Sequence, residues 1–269
     1  MIMGNLLNRL LIMLNDCQIK STNYRITMTL LLNFHQLATL SIGKVADLCN
    51  VSKSTISKYI RVLGYEDYAD FKADSIFKEN RFGFSLNYNS NIAQFLETQG
   101  IERYIATIQN DLSLIHSTLD MNKVTKLAQY LAEYREVAAF GLLFSEIGAL
   151  DLQSKLAYNG KFITTHLNDL KQKQFIYRAN KKNLIIIYSN SGRYLQLEQL
   201  SEFRESKNFS TVRAKIVLIT ANTAMENDPN IDLCLTFKHC SNIQTHANLY
   251  PLINDLIVMK YRQIVLQNN

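Results

Sequence analysis

The sequence predicts an α + α/β protein: an all-helical N-terminal domain followed by an α/β domain built on a doubly wound parallel sheet. Three observations predict it. Up to residue 134 the apolar residues recur at helical spacing, and at Val137 the period changes to short runs rich in β-branched residues. Those runs alternate with helical stretches, the pattern of a parallel sheet covered on both faces. Within the helical part, residues 41–64 read as two short helices joined by a tight turn.

In chain order, Leu6, Leu7, Leu10, Leu11 and Leu14 give the apolar face of a first helix. That stretch has no basic start and is interrupted by Asn5, Asn8, Arg9 and Asn15, which argues against a signal peptide. Residues 26–38 form a second helix, in which His35 reads as an ordinary surface or core histidine. In 41–64, Val45, Ala46 and Cys49 share one helical face and Ile56, Tyr59 and Ile60 another, with Val51 filling the corner. Asn50 falls where the chain must turn sharply, and Asn tolerates a left-handed conformation. Ser52 then supplies the N-cap oxygen of the second helix. A helix over 65–78, carrying Tyr68, Phe71, Ile76 and Phe77, closes the bundle.

The Asn-rich stretch after it is the least patterned part of the chain. It sets the expected organisation: a domain over 1–80, a linker over 81–105 and a second domain over 106–269. Residues 92–134 read as helix with breaks near Gly100 and Asp120, along stripes such as Ile101, Tyr104, Ile105, Ile108, Leu112 and Ile115. The apolar runs 137–141, 161–166, 183–189, 214–220 and 232–237 are the expected strands. Helices over 144–159, 168–179 and 193–206 separate the first four, and 246–267 is a final long helix.

Composition narrows the function. The chain is 47% apolar with only two Pro and nine Gly, so it can bury a sizeable core and is not a disordered or low-complexity sequence. Its formal charge is +6, and positions 1–63 hold seven Lys or Arg against two acids, Asp16 and Asp47, so the excess positive charge sits on the helical part. The four cysteines show no C-x-x-C pair and no metal-ligand spacing with His, as free thiols of a reducing cytoplasm would. No run is long enough to span a membrane, and no cofactor or metal is expected.

The outer face of the second short helix holds Ser52, Lys53, Ser54, Thr55, Ser57, Lys58 and Arg61, all hydrogen-bond donors, with no acid between Lys53 and Arg61. That mixture suits base edges and phosphates and suits a core poorly. It is read as a helix-turn-helix whose second helix enters the major groove of double-stranded DNA. The segment 40–72, LSIGKVADLCNVSKSTISKYIRVLGYEDYADFK, closely resembles the DNA-binding domain of RpiR-type bacterial transcription regulators. Leu63, Gly64, Tyr65, Tyr68, Phe71 and Lys72 match the leucine-glycine-aromatic exit of that family.

In a doubly wound sheet, ligands bind at the carboxyl ends of strands, near helix N-termini. Two loops qualify: 141–146, GLLFSE, and 189–194, SNSGRY, although S-N-S-G is equally an ordinary polar strand-to-helix turn. The segment 137–237 resembles the sugar isomerase (SIS) domain that follows the helix-turn-helix in RpiR-type regulators. The resemblance implies that Ser145, Ser189, Asn190, Ser191, Gly192 and Arg193 lie at a sugar-phosphate effector site. The family loop usually reads S-x-S-G-E-T, and this chain departs from it. Arg193 stands at the glutamate position, Tyr194 at the threonine, and Leu143 at a usual glycine of the first loop.

The expectation is a cytoplasmic transcription regulator of sugar or amino-sugar metabolism, not an enzyme. It would be a homodimer or higher oligomer on a palindromic operator, controlled by a sugar phosphate. The apolar helices of 92–134, and Ile253, Leu256, Ile257 and Tyr261 of the last helix, are the expected interface, though a core role is as natural for them. Two alternatives stay open: an SIS-fold sugar-phosphate isomerase or lyase with an accessory helical domain, and a regulator whose degenerate SIS domain only dimerises. The first needs a carboxylate or histidine in the pocket, for which His166 and Glu146 are the obvious candidates; His239 and His246 could also approach a cleft, but isolated histidines of this kind are more often structural.

Overall fold

The computed structural model describes residues 6–75, 88–196, 208–239 and 243–267. These group into two compact units, one before and one after position 84.

The first unit is a bundle of α1 (Leu6–Asp16), α2 (Thr22–Leu32), α3 (Ile42–Leu48), α4 (Lys53–Val62) and α5 (Tyr68–Asp74). Each helix after the first starts on a side chain that accepts a backbone N–H: Ser21, Ser41, Ser52 and Asp67. The bundle closes on Leu6, Leu10, Ile26, Leu30, Val45, Ala46, Ile56, Tyr59, Ile60 and Phe71, all buried. The helix expected over 26–38 starts earlier and ends at Leu32. Asn33 stops it by turning its side-chain amide back onto the Thr29 carbonyl, 2.8 Å away. His35 is exposed in the short 3₁₀ turn that follows. Ile76 and Phe77 lie outside the described residues.

The second unit starts with a π-helical turn, Asn89–Ala93, and α6 (Gln94–Thr118), which kinks at Gly100, where φ is +80°. Helix therefore occupies 94–105 of the stretch expected to be linker, while 81–87 lie outside the described residues. α7 (Met121–Glu133), capped by Asp120, leads into the sheet. β1 (Glu136–Gly141), β2 (Asn183–Tyr188), β3 (Lys215–Thr220) and β4 (Leu233–Thr236) are parallel and lie in that order. Helices α8 (Glu146–Ala157) and α9 (Asp169–Arg178) link β1 to β2, α10 (Arg193–Gln196) follows β2, and α11 (His246–Gln267) ends the chain.

One face of the sheet, with Val137, Ala139, Leu184, Ile186, Tyr188, Val217, Ile219 and Leu235, packs on α7, α8 and α11. Phe140, on the other face, meets Phe175 of α9 edge-on at 5.5 Å. Burial on both faces is why these strands read as continuous apolar runs.

The strand expected over 161–166 does not form. That segment meets β1 at one bridge, Ala138 to Thr164. The Ile163 carbonyl accepts from the Gln153 side chain instead of from a strand, and Phe162 is 78% exposed. With a partner on one side only, the run lacks the second ladder and second packed face that stabilise β2 and β3. Of the helix expected over 193–206, the first four residues are α10 and 197–206 lie outside the described residues. Ile253, Ile257 and Tyr261, expected at an interface, are buried in the core of their own unit, with Leu256 packed against it.

Candidate functional site

α4 is fixed from beneath by side chains whose partners are far away in sequence. The Tyr59 hydroxyl and Thr27 Oγ1 are 2.5 Å apart in the core. Arg9 Nη1 donates to the Leu63 carbonyl at the end of α4 (3.0 Å), and its guanidinium lies 4.6 Å from the centre of the Tyr65 ring. Arg9 thus anchors the helix internally, a role that a tally of basic residues does not reveal. The turn before α4 follows the sequence reading: Asn50 has φ of +52°, and Val51 N–H bonds the Ala46 carbonyl at 3.0 Å.

On the outer face, Ser52, Lys53, Ser54, Lys58 and Arg61 are exposed, and Thr55 and Ser57 are half-buried. Ser52 Oγ accepts from the Thr55 N–H and lies 2.8 Å from Ser54 Oγ and 2.9 Å from Thr55 Oγ1. Ser57 Oγ donates to the Lys53 carbonyl at 3.1 Å, so its hydroxyl hydrogen is already engaged. Lys53, Lys58 and Arg61 remain as long cations on one side of a helix with buried Ile56, Tyr59 and Ile60 on the other. Such a surface can hold phosphates and present Ser54 and Thr55 to base edges.

The second cluster gathers at the carboxyl ends of β1, β2 and β4. After β1 the chain turns through Leu143, whose φ is +58°, into Ser145. A Cβ on Gly141 would collide with the Ser145 backbone, so the tight turn needs glycine there. Ser145 is buried, with Oγ 3.3 Å from the Tyr250 hydroxyl. After β2, buried Ser189 accepts from the Tyr194 N–H (3.3 Å), and Gly192 has φ of +75° with a Met225 side chain where a Cβ would be. Asn190 is pinned by its carbonyl to Thr220 Oγ1 (3.0 Å), while its side-chain Oδ1 lies 3.1 Å from His239 Nε2. The Ser191 carbonyl accepts from the Asn222 side chain (3.0 Å), leaving the Ser191 side chain exposed beside exposed Arg193.

The departures from the family loop have physical consequences. Tyr194 is buried, and its hydroxyl donates to Gln172 Oε1 (2.7 Å), while Gln172 Nε2 donates to the Gly141 carbonyl (2.9 Å). The side chain in the threonine position therefore ties the β2 loop to the β1 loop through the core. Leu143 adopts the left-handed conformation that glycine would hold without strain.

Among the four acid–base candidates, burial pushes the half-buried Glu146 carboxyl up to about 7, a hydrogen bond from the Leu143 backbone opposing it. The His166 ring stacks on Phe140, centroids 6.1 Å apart. His239 and His246 neighbour each other at 6.1 Å, and His239 reaches Asn190. Sequence reasoning listed these histidines without linking them to the β2 loop. Nothing local could have done so, because the fold brings 190, 239 and 246 together. Tyr250, which joins Ser145 to the same cluster, was not foreseen at all. Among the described residues no group of His, Cys, Asp and Glu could hold a metal ion, and no helix is long and apolar enough to cross a membrane.

Comparison with known proteins bears on the N-terminal helices and on the fold of the chain. Residues 6–76 match the family model of the helix-turn-helix domain, rpiR family. The chain is 25% identical over 198 residues to an HTH-type transcriptional regulator of Providencia stuartii, covering 72% of this chain and 68% of that one. It is 23% identical over 218 residues to the HTH-type transcriptional regulator HexR of Pseudomonas aeruginosa, covering 78% and 73%. Among solved structures it is similar in fold to the Vibrio vulnificus NanR protein complexed with ManNAc-6P (TM-score 0.51, 16% identity, 98% of this chain and 93% of that one). It is also similar to a putative sugar-phosphate isomerase from Listeria monocytogenes (TM-score 0.50, 13% identity, 62% and 92%). The α/β unit thus has the fold of SIS-type proteins.

Proposed function

We propose that this chain, whose residues 6–76 belong to the rpiR family of helix-turn-helix domains, is a transcription regulator that reads double-stranded DNA with α4 and is switched by a phosphorylated sugar held at the strand ends of its α/β unit. The observation that carries the DNA half is α4 itself. A buried apolar face and a serine cap fix it, and Lys53, Ser54, Lys58 and Arg61 stand outward with no acid among them. For the effector half, support comes from the convergence of Ser145, Ser189, Asn190 and Gly192 on one end of the sheet, and from NanR, a protein of similar fold complexed with ManNAc-6P. In this reading Ser191 and Arg193, both exposed, meet the ligand from the open side.

One recognition helix offers few base contacts, so the working form would be a homodimer on a palindromic operator in the cytoplasm. Apolar side chains left exposed on α6 (Ile101 and Ile105) and α8 (Ile147 and Leu150) are the surface a second copy would cover. Selection of a binding site from random duplex DNA, repeated with a panel of phosphorylated sugars that includes ManNAc-6P, tests the whole reading. A defined palindromic site whose occupancy changes with one sugar phosphate is expected. Binding to all sequences alike, or no response to any of them, would refute the DNA or the effector half respectively.

Glu146 supports a second reading. A half-buried carboxyl raised to about 7 beside Ser145 is poised for proton transfer, as an isomerase requires. Conversion of an aldose phosphate to its ketose by the purified protein, abolished in Glu146→Gln, would favour that reading.

A further inference from the structure

Between Ser145 and Asn190 runs a line of side chains, Tyr250, His246 and His239, to which the regulator reading gives no task. Ser145 Oγ is 3.3 Å from the Tyr250 hydroxyl, and the Tyr250 ring stands edge-on to His246 with centroids 5.9 Å apart. His246 lies 6.1 Å from His239, and His239 Nε2 is 3.1 Å from Asn190 Oδ1. His246 is the midpoint of this line. It is 4% exposed, and its Nδ1 is buried without a hydrogen-bond partner among the described residues. A buried polar atom left unpaired costs stability, which makes it a place where a ligand can supply the missing partner.

Its position sharpens the point. His246 is the first residue of α11, a helix of 22 residues, where the backbone N–H groups point outward and the helix field favours an anion and opposes a cation. Burial pushes the ring down to about 4, and neighbouring His239 adds to the effect, so both conditions keep it neutral in the empty protein. The charged groups on the surrounding elements are few. Asp111 of α6 accepts from Thr245 Oγ1 at 2.6 Å, Glu146 adjoins Ser145, and Lys238 and exposed Arg193 flank His239 and the β2 loop.

We propose that His239 and His246 form the ligand-facing wall of the effector site, and that the pair takes up a proton when a phosphate monoester enters between Ser145 and Asn190. This rests on the effector reading above. A phosphate dianion supplies the opposite charge that the empty pocket lacks. It reverses the preference for neutral imidazole and is held by a charge-assisted hydrogen bond once the proton arrives from solvent. Selectivity follows: the pair favours a ligand that brings two negative charges over a carboxylate or a neutral sugar of the same shape.

Calorimetry at pH 7.5 in two buffers of different ionisation enthalpy tests this, with ManNAc-6P, glucose 6-phosphate and inorganic phosphate as probes. Uptake of between about 0.5 and 1 proton per site is expected, with affinity falling roughly tenfold per pH unit at full uptake. His246→Gln should abolish the uptake and weaken binding at least about tenfold; His239→Gln gives the same reading should His246→Gln fail to fold. Glu146→Gln should leave the uptake in place, which separates the histidines from the neighbouring carboxyl that burial raises to about 7. A probe that binds in a Ser189→Ala-sensitive way with no proton uptake, or with uptake unchanged in both histidine variants, overturns this inference alone. No binding of any probe to the wild type overturns it together with the effector reading.

Discussion

On α4 the polar side chains stand on a core that is complete without them; at the strand ends the polar side chains are the core. Lys53, Ser54, Lys58 and Arg61 are exposed above buried Ile56, Tyr59 and Ile60. Ser145, Ser189, Tyr188, Tyr194 and Tyr250 are buried: the Ser145 and Tyr250 hydroxyls meet each other, Tyr188 and Tyr194 donate to Asn254 and Gln172, and Ser189 accepts from the Tyr194 backbone N–H. Recognition and stability can therefore be altered separately in the first region and only together in the second. A DNA-reading surface gains from being separable, because operators differ between regulators that share a fold. A pocket that must respond to its ligand gains from being part of the packing, since filling it then changes the whole unit.

The largest test of that contrast is Gly148→Ala. A Cβ there would lie 2.5 Å from Tyr188 Cδ1, and the Tyr188 ring cannot yield, because its hydroxyl is tied to Asn254 Oδ1 at 2.5 Å. A loss of about 3 kcal/mol in denaturant unfolding is expected, from overpacking at a site with no slack. A loss under about 1 kcal/mol would mean that the strand-end core repacks easily and that the contrast is overstated.

On α4 the matching test should leave stability alone. Lys58→Ala and Arg61→Ala are expected to change unfolding by less than about 0.5 kcal/mol. Each should also lower the slope of log affinity against log salt by about 0.9, equally for specific and random DNA. Ser54→Ala should instead relax sequence choice. A changed operator preference with an unchanged salt slope in Lys58→Ala would mean the helix is rotated on its groove.

The same contrast explains what the sequence makes legible. The helix-turn-helix is local: its faces, the left-handed Asn50 and the Ser52 cap all lie within two dozen residues, so spacing alone describes them. The buried parallel strands announce themselves as β-branched runs. The edge run 161–166 also reads as a short β-branched run but has a strand neighbour on one side only, which composition cannot express. The strand-end cluster is half legible. Ser189 and Gly192 follow a strand visibly, whereas Arg9 on Leu63, Tyr194 on Gln172 and His239 on Asn190 join residues 54, 22 and 49 positions apart. Only the fold sets those pairs.

Titration separates the regions next. Burial holds the Glu146 carboxyl near 7 against an ordinary 4.5, so between those values the folded state keeps a proton that the unfolded chain has lost. Stability from this group falls as pH rises through the window, and the full cost is present above 7. His246, lowered from 6.5 to about 4, acts in the opposite sense: the unfolded chain binds the extra proton there, so stability rises with pH over that range. Glu146→Gln should stabilise the protein by about 1 kcal/mol at pH 8, a value discounted for the side chain's partial exposure. It should also leave a stability that only rises between pH 4 and 6.5, where the wild type shows partial cancellation. Urea midpoints across that range measure this, and an unchanged profile would place Glu146 in better contact with water than its burial implies.

The smallest effect concerns two turns with the same backbone demand. Asn50 before α4 has φ of +52° and Leu143 after β1 has φ of +58°, yet only the first is a residue that tolerates the left-handed region. Leu143→Gly alone would be a poor measure, because relief of strain is offset by the lost isobutyl contacts and by the greater freedom of glycine in the unfolded chain. Comparing Leu143→Ala with Leu143→Gly removes the side chain from both and leaves the backbone term. Glycine should be the more stable of the pair by about 1 kcal/mol, the cost of a left-handed Cβ less the entropy difference. At Asn50 the gap between glycine and asparagine should shrink to a few tenths of a kcal/mol, since asparagine already suits the turn. Alanine proving equal to glycine at 143 would show that the loop relaxes out of the left-handed region once leucine is gone. The strain would then belong to the leucine side chain and its packing rather than to the path of the chain into Ser145.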